Sequence, residues 1–349
     1  MGNYFGSTKS NEEEIAGKLL TAAMGGNLEE MKELVGSYLS PEVKASHIVN
    51  MQDPSGNAAI HGAVFSNHLD VVKFLVEDCE ADLYAKNGIG CSPIWLAAGY
   101  GYGEMLGFLL RSVQSDPDKD FLEVIGEGNS SGDSPIIAAA RKGHSNIIRM
   151  ILSEVESAGG FDGDQSINSA MKKILTQKNN AGDNVLSVGT ASGFLEVINE
   201  VLDWDLKYSS ADNDNCKLID VKNKKGLTPL LVAAERGDKN IFLRLLKENP
   251  QDALDGNGMS PFSVAVFCGC FEIVEALLEL PYGKNMIDVK DEKSGRTPLW
   301  LSARTGNKKI AALLLKHGAD RTIKDDNEGL TPEEAARKFK KQQVLELFE

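Results

Sequence analysis

The sequence predicts an all-α fold, an α-solenoid of stacked helix-turn-helix units with short β-hairpin loops between them. Three observations predict it. A five-residue signature led by Gly recurs eight times: GNAAI at 56–60, GCSPI at 90–94, GDSPI at 132–136, GDNVL at 182–186, GLTPL at 226–230, GMSPF at 258–262, GRTPL at 295–299 and GLTPE at 329–333. Most copies lead into a pair of small residues, as at Ala97-Ala98, Ala139-Ala140, Ala233-Ala234 and Ser302-Ala303, and then into a Gly. An apolar run with helical spacing follows, such as VVKFLVE at 71–77, NIIRMILSEV at 146–155 and IAALLLKHG at 310–318.

Each part of the unit has a physical reading. The leading Gly supports a turn with φ > 0. Thr or Ser caps the first helix, and Pro at its first position lacks an N–H that had no intrahelical partner. The small pair lets that helix lie close to the next unit. The later Gly (Gly101, Gly143, Gly193, Gly237, Gly269, Gly306) ends it in a left-handed turn. The Leu-rich second helix buries its face on both neighbours, because one unit alone has too little core. The Thr slots fall at 58, 92, 134, 184, 228, 260, 297 and 331, with spacings of 34, 42, 50, 44, 32, 37 and 34. This pattern resembles the ankyrin repeat, whose signature is TPLH-x-A at a period of about 33. The resemblance covers about residues 15–349.

Taken in order, residues 1–14 read as a disordered tail and 15–349 as a single repeat domain. An N-terminal capping unit spans 15–50 and carries only the second half of the pattern, LLTAAMGGNLEEMKELV at 19–35. Seven internal repeats span 51–328. Hairpin segments precede several signatures: LYAKN at 83–87, LTQKN at 175–179, IDVKN at 219–223 and IDVKD at 287–291. The long repeats place acidic insertions near 112–121, 157–174 and 205–217, readable as solvated loops or as protrusions that grip a partner. SINSAMKKIL at 166–175 reads as a short helix capped by Ser166 or as disorder, and Trp204 as an anchor or a packing residue. A C-terminal cap, 329–349, has KKQQ and Glu at exposed positions of its last helix, as a terminal repeat requires.

Composition bounds the function. The chain has 349 residues, 42% hydrophobic and 25% charged, with a net charge of −14. That charge disfavours nucleic acid as a partner. No apolar run is long enough to span a membrane, and MGNYFGSTKSNEEE is not a secretory signal. Five scattered cysteines fit a reducing, cytoplasmic setting. His61, His68, His144 and His317 occupy repeat positions and show no catalytic convergence. Cys268 and Cys270 lack the second pair that zinc needs. DNDNCKLID at 212–220 and DGDQSINSAMKK at 162–173 fail as calcium loops, ending on Asn223 and Lys173 where an acid is required. GIGCSP and GYGYGEMLG match no phosphate-binding fingerprint. No cofactor, metal or enzymatic activity is expected. Gly2 is a candidate for N-myristoylation, though Gly6 stands where the motif wants Ser or Thr.

The resemblance implies a protein partner bound by a monomer through a concave face of hairpin tips and first-helix ends. Those helix positions follow the small pair. They include Phe65, Tyr100, Arg141, Lys142, Glu235, Arg236, Phe267 and Arg304. The aromatics are typical interface anchors, and the cations form a strip suited to an acidic partner segment. Trp95 and Trp300 fill the His slot and are expected to pack between units. A scaffold or adaptor is the leading reading. A membrane tether through acylated Gly2 and a regulatory subunit of an enzyme are the alternatives.

Overall fold

The computed structural model describes residues 8–158, 167–209, 217–248, 250 and 254–349. The chain divides into two compact units, Met1–Ala181 with Asn199–Asp212, and Gly182–Ile198 with Asn213–Glu349. All regular structure among the described residues is helical, apart from one isolated bridge between Ser40 and Val43.

In the first unit the inner helices stack in chain order. Ala59–Phe65 packs between Thr8–Gly25 and Pro93–Tyr100, and the latter packs on Pro135–Lys142. In the second, Val185–Ser192, Pro229–Arg236, Pro261–Cys268, Pro298–Thr305 and Pro332–Lys338 follow one another in the same way. The small pairs sit at these contacts: Ala97, Ala98, Ala139, Ala140, Ala233, Ala234, Ser302 and Ala303 are all fully buried. Outer helices close the core with Leu106, Leu109, Ile148, Ile151, Phe242 and Leu245. Each such side chain stabilises the fold by about 1.5–3 kcal/mol on burial.

Capping follows the signature. The Ser92 hydroxyl accepts from the Trp95 amide at 3.2 Å, and Thr228, Ser260, Thr297 and Thr331 repeat the bond. Asn184 caps in place of Thr, at 2.8 Å from the Ser187 amide. Ser134 departs from the expectation: its buried hydroxyl makes no capping bond. Ala58 has no side chain to cap with, and the His61 ring instead accepts from the Ala58 amide. The inner helices end as expected. Gly101 has φ 79°, and a Cβ there would lie 2.8 Å from the His144 ring, so left-handed backbone and close approach both require Gly.

The connections expected as β-hairpins are tight turns without β-strand, because each holds only two backbone bonds of its own. Asn87 N donates to Cys91 O and Gly90 N to Asn87 O. The Asn or Asp that closes each hairpin segment organises the turn. Its side-chain oxygen accepts two or more following amides at Asp53, Asn87, Asn129, Asn223, Asp255, Asp291 and Asp325. Turns then bond to one another along the stack. Gly88 N donates to Ser55 O at 2.8 Å and Ser130 N to Ile89 O at 3.0 Å in the first unit. Asp326 N donates to Ser294 O at 2.9 Å in the second.

The N-terminal helix begins at Thr8, inside the stretch expected to be tail. The first insertion is ordered: Tyr84 donates to Asp116 at 2.8 Å, and Asp120 caps an added helix, Phe121–Gly126. SINSAMKKIL forms the helix Ile167–Thr176, whereas its proposed cap Ser166 lies outside the described residues. Parts of the other two insertions lie there too.

Candidate binding surface

Each inner helix is pinned at both ends, so the residue just before its final Gly or turn is held on one exposed edge. In the first unit this edge carries Met24, Phe65 and Tyr100, which are 42%, 46% and 43% exposed. Phe65 meets Tyr100 edge-on at 5.3 Å, and Tyr100 stacks on Tyr102 at 5.7 Å. The Tyr102 hydroxyl donates back to Phe65 O, fixing the trio. Ile89, at a turn tip, is 63% exposed on the same side.

These residues border a groove of about 290 Å³ with Leu20 and Leu96. Its floor is Gly62, where a Cβ would fall 2.7 Å from Leu20 Cδ1. No Asp, Glu, Lys or Arg lines it. His61 contributes one ring edge, with Nδ1 accepting from Ala58 and Nε2 bonded to Ala85 O. Burial holds its pKa below the ordinary histidine value, so the ring is neutral at pH 7. The amides of Asn57 and Asn87, hydrogen-bonded to each other at 3.1 Å, supply polar atoms at one end. Such a groove suits an extended segment with apolar side chains and free backbone groups.

The expected cations behave differently from a free strip. Arg141 makes a bidentate pair with buried Asp133 at 2.9 Å, and Asp133 also accepts from Asn179 at 2.8 Å. Arg236 donates to Ala191 O. Arg304 lies 5.5 Å from the Phe339 ring and 6.0 Å from the Trp300 ring. Lys142 and Glu235 are exposed. Phe267 is 41% exposed and belongs to the second unit. Of the residues expected on the surface, Phe65 and Tyr100 border this groove, and Met24 and Ile89, not among those expected, border it too. Met24 was findable, since it follows Ala22-Ala23 as Phe65 follows its own apolar pair. Ile89 sat between two glycines that read only as turn punctuation.

Trp95 and Trp300 pack as expected. Trp95 Nε1 donates to Asp133 O at 2.7 Å, and Trp300 is 2% exposed under Arg296, 4.3 Å from its ring. Trp204 is tied down: its Nε1 donates to buried Glu200 at 2.9 Å, and its ring stacks on Tyr208 at 5.9 Å. His68 Nε2 bonds Met24 O, and His144 covers Gly101. Burial pushes the thiols of Cys79, Cys91 and Cys268 up to about 11, so none is a thiolate at neutral pH. Among the described residues no group of three or more His, Cys, Asp or Glu is placed to hold a metal. No helix among them is long and apolar enough to cross a membrane. Gly2 lies outside the described residues.

Comparison with known proteins agrees with the fold. A family model described as "Ankyrin repeats (3 copies)" matches residues 190–291, and one described as "Ankyrin repeat" matches 55–88 and 294–326. The chain is 26% identical to "Ankyrin repeat and KH domain-containing protein mask-1" of Caenorhabditis elegans over 77% of its own length and 10% of that protein. It is 24% identical to "E3 ubiquitin-protein ligase XBAT32" of Arabidopsis thaliana over 63% of this chain and 42% of that protein. A third relative, human "Ankyrin repeat domain-containing protein 63", is 31% identical over 30% of this chain and 26% of its own length. The chain therefore spans less than half the length of these relatives.

Proposed function

Because the chain belongs to the ankyrin-repeat family, we propose that it is a non-enzymatic scaffold or adaptor that binds a partner protein through the inner-helix edge of its repeats. Ankyrin repeats are generally protein-interaction modules and typically non-enzymatic. The observation that carries the reading is the groove bordered by Met24, Phe65, Ile89 and Tyr100. Four large apolar side chains are held in solvent there by a buried scaffold, and packing does not account for their exposure. Lys142, Glu235 and Phe267 extend the proposed surface in their respective units, whereas Arg141, Arg236 and Arg304 also serve contacts within the fold. The few, scattered cysteines suit work in the cytoplasm.

The test is affinity capture with cross-linking mass spectrometry, followed by titration of the purified partner. Replacing Phe65 and Tyr100 by Ala and Ile89 by Ser should weaken binding about 100-fold or more, since each anchor contributes about 1–2 kcal/mol. Thermal unfolding should stay nearly unchanged. Equal affinity of the triple variant for the identified partner would refute the assignment of the groove.

A further inference from the structure

The charge of this chain is unevenly distributed. Residues 1–293 hold 26 Lys and Arg against 43 Asp and Glu, a balance of −17. Residues 294–349 hold 11 against 8, a balance of +3. The excess is concentrated at two inter-helix turns of the second unit. Segments 303–315 and 335–345 carry Arg304, Lys308, Lys309, Arg337, Lys338, Lys340 and Lys341, seven cations with no carboxylate.

The fold brings these turns side by side. The Lys341 stem lies over Gly306, where a Cβ would fall 2.8 Å from Lys341 Cδ. Three of the cations have partners: Lys308 with Glu346 at 2.6 Å, Arg337 with Glu333 at 2.8 Å, and Lys338 with Glu328. All three pairs are well exposed, and such pairs hold their partners weakly. Lys309, Lys340 and Lys341 stand without an ion-pair partner among the described residues. Beside them is a recess of about 480 Å³, walled by Phe267 and Cys268 on one side and Thr305, Asn307, Lys308 and Lys309 on the other. Phe267 is 41% exposed at its rim, and Phe339 is 36% exposed on the same pair of repeats as Arg304.

We propose that this edge of the second unit docks an acidic segment of a partner protein, whose carboxylates meet the Lys309–Lys340–Lys341 cluster and whose apolar residue enters the recess beside Phe267. Charge complementarity selects this occupant. A second copy of the chain, which carries acidic stretches of its own such as Glu12–Glu14, would show as self-association of the full chain in sedimentation, and that outcome would overturn the proposal. The acidic remainder of the protein repels an acidic partner while the basic edge attracts it, which orients the partner during encounter. The proposal is independent of the groove in the first unit, which has no charged lining.

The experiment uses the full chain and a fluorescein-labelled peptide of alternating Glu and Ser with a central Leu-Phe pair. Anisotropy is read at low and at physiological salt, beside a control peptide with Lys in place of Glu. The acidic peptide should bind at least about tenfold more tightly than the control, with affinity falling as salt rises. K309E/K340E, two exposed positions outside the core, should lose that binding about tenfold and flatten the salt dependence, with unfolding temperature unchanged. K309R/K340R should retain it, and the Phe65, Ile89 and Tyr100 replacements should leave it intact. No preference for the acidic peptide, or equal binding by K309E/K340E, would overturn the proposal. Tighter binding to phosphatidylserine vesicles or to single-stranded DNA than to the peptide would overturn it as well.

Discussion

Replacing Asn87 by Ala should unmake one turn while leaving every helix intact. The Asn87 side chain accepts from the Cys91 amide at 2.9 Å and the Ile89 amide at 3.2 Å, and donates to Asn57 at 3.1 Å. A hydrogen bond of this kind contributes about 1 kcal/mol net, and the one to the exposed Ile89 amide about half that. N87A is therefore expected to lose about 2–2.5 kcal/mol. N87D should lose under about 1 kcal/mol, because a carboxylate keeps both amide bonds and the Asn57 amide can turn to donate. Asp already fills this slot at Asp53 and Asp255, accepting from the same two amide positions. The assay is equilibrium urea unfolding with Trp95, in the next helix, as the fluorescent reporter. If N87D is as costly as N87A, or N87A is nearly silent, the turn is held by its backbone alone and the reasoning fails.

Other outcomes follow from the same contacts. G101A should cost more than about 2 kcal/mol, from left-handed backbone strain and the clash with His144; adding H144A should recover only the clash, readable by the same unfolding assay. His61 has a lowered folded pKa, so its contribution is present above the unfolded value near 6.5 and is lost as pH falls through the folded one. Unfolding free energies measured from pH 7 down to pH 5 should fall less steeply for H61Q, which can keep both ring bonds as a neutral amide. R149A should destabilise only modestly, because Arg149 is mostly exposed. Glu200 would nonetheless be left buried and bonded to Trp204; the matched R149A/E200Q double variant should be less destabilised than the two singles added together.

The fold was legible because its determinants are local and repeated. Gly, Thr-Pro and the Ala pair each act within a few residues of their own position, and each recurs. What escaped was set by contacts between repeats. Arg141 reads as an exposed cation, but its partner Asp133 sits in the turn leading into the same helix and is locked by Asn179 of the following repeat. The helix beginning at Thr8 was hidden by the polar run TKSNEEE, which lacks a strong apolar stripe. The connections LYAKN and IDVKN were legible as short turn-forming links, but their Asn side chains bonding the turn, and the bonds from one turn to the next, are set by the stack. Of the proposed binding surface, Phe65 and Tyr100 were visible as large residues where small ones would fold. Their edge contact, and the groove they share with Met24 and Ile89, belong to the packed unit.

Five of the glycines that follow inner helices also meet the first residues of the next repeat's outer helix. Gly26 faces His68, Gly101 faces His144, Gly237 faces Cys270, Gly269 faces Asn307 and Gly306 faces Lys341. At these five joints the visiting residue is aromatic, thiol, amide or ammonium while the host stays Gly, whereas Asn67 takes the left-handed position after Ala59–Phe65 and Gly193 meets Arg236. A host without a side chain demands no matched shape, so it acts as a universal socket. Neighbouring repeats inside a unit can then be exchanged or edited singly, with compatibility guaranteed by one absent Cβ instead of negotiated pair by pair.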